Sequence, residues 1–508
     1  MDTTRPDDSG DGSLAQPKKY LSSGIALMSP NGGDTLIVLP GIYSNALDEI
    51  DSMVNGQTDA YNRVIAQQDG TVVITTPFLL PVSTQWVQFE GLRWESAFQK
   101  GVMGHHIRFF RCGFRGSEAN GNRVTFGIGT NDQTPGAHHV LIEDCWFYGL
   151  GGRYNLLVFN SEQIVLRRIV ARHDSGWDGS AGSNPEAAIC IYSSRDVQVQ
   201  NALCIDNTLN YFYWEATLYL NKNNGTSLPM ENVVVQGTLC LHNRGVGIKL
   251  DGAGPVTNSI IRDTVVWDGP SAGVATNSGG SGHQVLLDQM LIGQNDRGVS
   301  CGGQSGNQIE TLNSILVDNP NGAFIQNSGT LTHRYNNCFN NGAQCQATGE
   351  TGLDPYANGL LFPTRLEADS IFWALGEGGT RMGMNITRQI GISGTLYGEP
   401  GFDSVTTEPL WPWPFEQRIA SEMCDETQSG VADRGWCLTP QSLTQYVWGT
   451  LGNNFPCSSD PDQDGNGQID VLDGCQIVSQ IGSTTASADL NCDGIVSQAD
   501  LGPFMATW

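Results

Sequence analysis

The feature that most constrains this chain is a repeat. Short apolar alternations with a polar lead-in recur: His105-His106-Ile107-Arg108-Phe109, His138-His139-Val140-Leu141-Ile142, Ile164-Val165-Leu166, Val197-Gln198-Val199, Val233-Val234-Val235 and Val285-Leu286-Leu287. Anchored on the first apolar residue they fall at 107, 140, 164, 197, 233, 260, 285, 309 and 331, giving steps of 33, 24, 33, 36, 27, 25, 24 and 22. The long steps read as the short one plus an inserted loop of about ten residues. Such a period means one supersecondary unit per repeat, each burying its apolar face on its neighbours. Two or three short strands per step fit one coil of a right-handed parallel β-helix, with coils stacked about 4.8 Å apart. A leucine-rich solenoid shares the period but needs a Leu-spaced signature and a helix in each repeat, and a β-sandwich would not hold so steady a step.

Turn chemistry agrees. Gly is 63 of 508 residues and charged residues are 15%, against a usual ~25%. Asp206-Asn207 and Asn319-Pro320-Asn321-Gly322 sit at step ends, where Asn, Asp and Gly supply left-handed corners. Cys112 and Cys145 lie five residues after their anchors, and Cys204 and Cys240 seven after theirs, so each pair becomes vertical neighbours. We read these pairs as a ladder of small, soft core side chains in preference to disulfides.

Charge excludes a class of function. The formal net charge is −26, the opposite of the basic face that displaces counterions from phosphate, so no nucleic-acid partner is expected. No run of about 18 apolar residues occurs, so no membrane span is expected. Residues 1–19 are polar and acidic and read as a flexible tail, with no signal peptide visible. Thirteen cysteines, with Cys338 close to Cys345 and Cys424 close to Cys437, point to an exported protein, secreted or at the cell surface.

The opening Gly32-Gly33-Asp34-Thr35-Leu36-Ile37-Val38-Leu39-Pro40-Gly41-Ile42-Tyr43 resembles the GDTI-x-V-x-PG-x-Y first coil of secreted bacterial right-handed β-helix proteins, the fold of pectate lyases and of many other polysaccharide lyases and hydrolases. The resemblance covers residues 20–400 and implies an all-β solenoid, in which 44–66 read as an inserted, partly helical segment and coils resume near Val73. Residues 401–456 break the period and carry Trp411, Trp413, Trp436 and Trp448, with a short helix expected in Gln441 to Leu451. They read as a C-terminal cap that plugs the open solenoid end.

Residues 457–508 form a separate module. Asp462, Asp464, Asn466, Gln468, Asp470 and Asp473 occupy positions 1, 3, 5, 7, 9 and 12 of one loop, and Asp489, Asn491, Asp493, Ile495, Ser497 and Asp500 those of a second. Gly467 and Gly494 stand at position 6. Hard oxygens at this spacing around a Gly turn follow the logic of an EF-hand Ca²⁺ loop, with position 7 offering its carbonyl. The second copy is similar to type I dockerin repeats, which implies a small α-helical Ca²⁺-binding domain and docking to a cohesin-like or cell-surface scaffold partner. The loops start 27 residues apart, tighter than in typical dockerins. Cys475 could bridge to Cys492, or Cys457 could pair with either.

A catalytic zone is expected between Arg168 and Asp251. Inserts at about 174–188 and 208–228 fall there, and inserted loops on one face of a solenoid commonly build its cleft. Arg172, His173, Asp174, Lys249 and Asp251 are the candidate catalytic residues; Arg168, Asp206, Trp214 and Arg244 the candidate substrate-binding residues. With Arg167, the basic residues could hold an acidic polysaccharide despite the net charge. Asp206 and Asp251 could equally be turn formers. His105 and His138, with His106 and His139, could stack and hold a metal, as could His283; ordinary outer-face stacking is the reading taken here, because no acid or cysteine completes the set. The expectation is an exported carbohydrate-acting protein, a polysaccharide lyase or glycoside hydrolase anchored by a calcium module. The alternative is a non-catalytic adhesive or structural β-helix.

Overall fold

The structure is a computed structural model. It describes residues 1–96, 100–118, 124–129, 136–174, 186–207, 215–223, 228–276, 281–343, 345–424, 435–438, 441–453, 469, 471–483, 488–490 and 496–507.

The repeat closes into a parallel β-helix. A first sheet takes one strand from each coil, from Thr35–Val38 through Asn62–Ala66, Gln85–Glu90, His105–Phe110 and onward to Thr330–Arg334, every pairing parallel. A second ladder runs from Gly41–Tyr43 to Asn337–Phe339, and a third from Phe78–Leu80 to Phe324–Gln326. The last two merge where single strands, Val265–Thr276 and Leu291–Cys301, run through both. Coils therefore resume at Asn62, before the expected Val73, since Asn62–Ala66 already pairs with the first coil.

The anchors fall into one vertical column: Ile107, Val140, Ile164, Val197, Val233, then Ser259, Val285, Ile309 and Leu331. Ile260 is displaced by one residue from the expected register. Ser259 takes the interior position, its hydroxyl accepting from Val233 N at 3.2 Å and donating to Thr257 O at 2.9 Å. A one-residue slip exchanges inward and outward faces, so Ile261 fills the core and Ile260 does not. Inside, rings stack coil on coil: Phe89 on Phe109 at 5.1 Å, Trp94 on Phe114 at 5.0 Å and Phe114 on Phe147 at 5.1 Å. Cys112 N donates to Cys145 Sγ, and Cys204 pairs in register with Cys240; all four are buried free thiols. Left-handed corners recur in Arg111, Asp144, Arg168, Asn201, Asp263 and Asn313.

Two parts depart from expectation. Residues 1–19 lie on the first coil instead of forming a free tail: the Met1 ammonium donates to Ile37 O at 2.7 Å, and Met1 packs with Leu21 and Ile25. The Trp-rich segment does not plug the solenoid end. After Phe339 the chain runs back along the outside as a strap, meeting Asn313 through Glu377, Asp263 through Arg381 and Asn385, Asn201 through Ile390, Glu143 through Gly394, and Arg111 through Arg418. The reason lies in the outer face of the second ladder. It is apolar along its length (Trp146, Val170, Leu203, Leu239, Val265, Leu291, Ile315), and Met382, Met384, Ile386, Trp411, Trp413, Trp436 and Trp448 cover it. Each such buried side chain contributes roughly 1.5–3 kcal/mol. Disulfides Cys338–Cys345 and Cys424–Cys437 fasten the start of the strap and its far end. No helix among the described residues is long and apolar enough to cross a membrane.

Candidate active site

The structure divides the expected catalytic zone in two. One half holds the strap. Glu143 is fully buried between Arg167, at 2.8 Å, and Arg168. Arg167 also donates to the strap carbonyls of Ile392 at 2.8 Å and Phe402 at 2.9 Å. Burial pushes the Glu143 carboxyl up, but the Arg168 and Arg167 guanidiniums overcome this and hold it below the usual range. Arg168 binds Asp144 at 2.7 Å. Arg172 binds Asp174 at 2.9 Å and donates to Met423 O at 3.2 Å and Cys437 Sγ at 2.8 Å. Asp174 accepts from Gly149 N at 2.7 Å. Asp206 accepts from Trp436 N at 2.8 Å and from the Tyr446 hydroxyl, with His242 Nδ1 at 3.2 Å. Arg172 and Asp206 thus contact the strap, while Arg168 pairs with Glu143 and Asp144 and Asp174 with Arg172: the apolar ladder draws the strap over the corners on which they stand.

The other half is a polar cluster on the outer face of the third ladder. Strands Ala216–Lys222 and Val246–Gly252 pair so that Tyr219 stands beside Lys249 and Asn221 beside Asp251. Tyr219 donates to Asp251 Oδ2 at 2.8 Å and accepts from Asn221 Nδ2 at 2.6 Å. Lys249 Nζ lies 3.4 Å from Asp251 Oδ2 and 5.5 Å from the Tyr219 ring centre. One corner back, Glu186 and Glu215 are coil neighbours, because Ala216 N bonds Glu186 O and Val246 N bonds Glu215 O. Arg244 pairs with Glu215, reaches Glu186 Oε2 at 3.0 Å and donates to His173 Nδ1 at 3.3 Å. The cluster is closed in, reaching solvent chiefly through Glu186 and Asp251, each 8% exposed.

This environment moves protons. Burial, with help from neighbouring Glu186, raises the Glu215 carboxyl to about 8 against the pull of Arg244 and Lys249. Burial lowers the Lys249 ammonium, against Asp251 and Glu215. Burial and Asp251 raise the Tyr219 phenol. An amine shifted toward neutrality, a carboxyl shifted toward its acid form and a guanidinium on one face constitute an acid–base constellation.

His173, Arg244, Lys249 and Asp251 are therefore brought together, while Trp214 lies outside the described residues. Tyr219, Asn221, Glu186 and Glu215 were missed. A signal for two of them was present: Leu218-Tyr219-Leu220-Asn221 and Ile248-Lys249-Leu250-Asp251 share one alternation, so their polar members face outward from adjacent coils.

The terminal module is described in part. Helices Val471–Ser479 and Leu501–Thr507 pack through Ile477 and Phe504 with Ala488, Leu490 and Val496. Asp473, Asp489 and Asp500 are fully buried, Ser497 caps a short turn, and Asp500 accepts from Ser497 N at 2.6 Å. Asp462, Asp464, Asn466, Gln468, Asp470, Asn491, Asp493 and Ile495 lie outside the described residues, as do Cys457 and Cys492; Cys475 is an exposed free thiol. Residues 457–508 contain eight Asp and no Lys, Arg or His. That donor set fits a hard divalent cation.

The expected histidine columns form on the first sheet, with His105 stacked on His138 and His106 on His139. His283 does not join them; it is buried at a corner, its Nδ1 accepting from Val256 N at 3.1 Å.

No protein-family model matches the chain, and comparison with curated proteins finds no match. Solved structures do resemble it. The catalytic unit of the GH87 α-1,3-glucanase of Streptomyces thermodiastaticus is 13% identical over 69% of this chain and 68% of its own, with a TM-score of 0.44. The A-module of the Azotobacter vinelandii mannuronan C-5 epimerase AlgE4 is 12% identical over 66% and 94%, TM-score 0.35. A mannuronic acid-specific family 6 polysaccharide lyase from human gut microbiota is 16% identical over 65% and 79%, TM-score 0.34. The chain's own stacked parallel ladders make it a parallel β-helix.

Proposed function

We propose that the chain is a carbohydrate-acting enzyme that cleaves an acidic polysaccharide by elimination at the Tyr219–Lys249–Asp251 cluster. The observation that carries this reading is the juxtaposition, on neighbouring coils, of a lysine biased toward its neutral amine with a hydrogen-bonded phenol and a guanidinium. Arg244 pairs the uronate carboxylate and stabilises negative charge developing beside C5. Lys249, whose charged form burial disfavours, takes the C5 proton once it has given up its own, Asp251 holding it in place. The electron pair forms the C4–C5 double bond, the C4–O bond breaks, and Tyr219 protonates the departing oxygen. Asp251 and Asn221 fix the Tyr219 hydroxyl.

A second reading rests on Glu215. A carboxyl that stays protonated to about pH 8 beside Glu186 is also the acid a glycoside hydrolase requires. An activity screen on acidic and neutral polysaccharides separates the two. Elimination yields new ultraviolet absorbance from the unsaturated uronate, abolished by Tyr219→Phe and Lys249→Met. Hydrolysis yields reducing ends without that absorbance, abolished by Glu215→Gln. Neither product from folded protein across a broad panel refutes both and leaves the adhesive or structural reading.

The terminal module, in this proposal, takes Ca²⁺ through Asp473, Asp489, Asp500 and Ser497 with the loop residues around them, and docks to a cohesin-like or cell-surface scaffold protein. The two disulfides support export to an oxidising compartment. Calcium titration of the full chain should give saturable binding that Asp473→Asn and Asp500→Asn each weaken; unchanged binding in both would refute the assignment.

A further inference from the structure

Half of the eight histidines stand together on the first sheet, away from the acid–base cluster. His105 and His138 are register partners in successive coils, and their rings stack at 4.5 Å with planes 6° apart. His106 and His139 stack at 4.7 Å, also at 6°. Successive strand residues normally point to opposite faces. Here His106 and His139 have φ of +53° and +50°, which breaks the alternation and turns each ring beside that of the preceding histidine. The result is a pair of facing nitrogens in each coil: His105 Nδ1 lies 2.9 Å from His106 Nδ1, and His138 Nδ1 lies 2.9 Å from His139 Nδ1. One ligating nitrogen from each of His105, His106 and His138 lies within 4.8 Å of the others. All four rings are half-buried, so they are held in place yet reachable from solvent.

The surroundings suit a cation. Glu162 is the register partner of His138 in the next coil, itself paired with Arg195. Glu399 approaches from the strap and pairs with Arg108 at 3.6 Å. Trp86 stacks on His106 at 4.0 Å and closes one end of the column.

Ligand type discriminates among metals. Imidazole nitrogen suits Cu, Ni and Zn, and affinity at such a site rises from Ni(II) to Cu(II) and falls again at Zn(II). In each pair one Nδ1–H donates to the other Nδ1, so binding an ion there moves that proton to Nε2 or releases it.

We propose that His105, His106, His138 and His139 form a binding site for a late divalent transition-metal ion, Cu(II) ahead of Ni(II) and Zn(II), clamped between two successive coils. Imidazole ligands favour these ions over Ca²⁺, so the site is chemically separate from the oxygen loops of the terminal module.

The test uses the untagged full chain in excess Ca²⁺, titrated with CuCl₂ at neutral pH and read by electron paramagnetic resonance. The expected result is one tightly held Cu(II) per chain, with an axial signal split by three or four equatorial nitrogens, displaced by Ni(II) more readily than by Zn(II). His106→Asn combined with His139→Asn keeps residues that tolerate left-handed backbone and should abolish the signal; His138→Gln alone should weaken binding about tenfold or more. Unfolding curves recorded without copper show whether each variant retains the parent fold, and the single variant decides the matter if the double one does not. Loading well below one per chain, a signal dominated by oxygen ligands, or an unchanged signal in a folded variant would overturn the proposal.

Discussion

Asp206 separates a structural from a substrate-binding reading of the corner residues. It is almost completely buried and accepts hydrogen bonds from Trp436 N at 2.8 Å and from the Tyr446 hydroxyl, with His242 at 3.2 Å. Asp206→Ala removes the acceptor both strap groups use. A hydrogen bond to a charged group contributes about 1.5–3 kcal/mol, and removing one partner of a buried pair costs about 3–5 kcal/mol in all. The expected loss is therefore about 3–5 kcal/mol for Asp206→Ala and about 1–2 kcal/mol for Asp206→Asn, which keeps the shape and one acceptor. Urea unfolding followed by tryptophan emission measures it, since Trp411, Trp413, Trp436 and Trp448 all lie in the strap. The contact also has a pH window. Burial pulls the Asp206 carboxyl up, but His242, Tyr446 and Trp436 N–H outweigh it and lower it; its contribution is present above the unfolded value of about 3.9 and is lost as pH falls through the folded one. Burial opposes charge on His242, but Asp206 outweighs this and raises it; that contribution is complete below about 6.5 and is lost as pH rises through the folded value. Parent and Asp206→Ala should thus differ most between about pH 4 and 6.5. Equal stability, or lost polysaccharide turnover in a variant of parent stability, would refute the structural reading.

Three further outcomes follow from the same contacts. Glu143→Ala leaves Arg167 and Arg168 facing each other without their shared carboxylate and should cost about 3–5 kcal/mol of unfolding free energy, again by urea titration. Glu215, raised to about 8, makes the folded chain lose stability as pH climbs from about 4 toward 8, and Glu215→Gln should flatten that slope in melts across the range. Leu239→Ala, beneath the strap, should destabilise by about 2–5 kcal/mol, while Ile42→Ala, 62% exposed, should change stability by less than about 0.5 kcal/mol in the same assay.

The fold was legible because a solenoid is a one-dimensional problem: each coil meets only its neighbours, so the spacing of apolar residues along the chain is also their spacing in space. That is why Ile107, Val140, Ile164, Val197 and Val233 share a column. The reading failed at Ile260, where two adjacent isoleucines left the frame ambiguous and a serine able to satisfy the main chain took the inward place.

The candidate site was half legible. His173, Arg244, Lys249 and Asp251 could be singled out as chemistry-bearing residues near inserted loops, and the structure pairs His173 with Arg244 and Lys249 with Asp251. Arg168, Arg172, Asp174 and Asp206 carry the same side-chain types at similar corners, yet Arg172 and Asp206 bond the strap, and Arg168 and Asp174 pair with residues of the coils. The difference lies in contacts made across hundreds of residues, such as Arg172 with Cys437, that a local pattern does not encode. By itself the sequence determined the parallel coil, its period and the oxygen-rich terminal loops, because these rest on short-range spacing. Tertiary structure alone decided which face of the solenoid the strap covers, and so which buried charges hold the molecule together and which remain for chemistry. Covering the apolar outer face of the second ladder is a requirement of the assembled surface, which exists only once the coils have stacked.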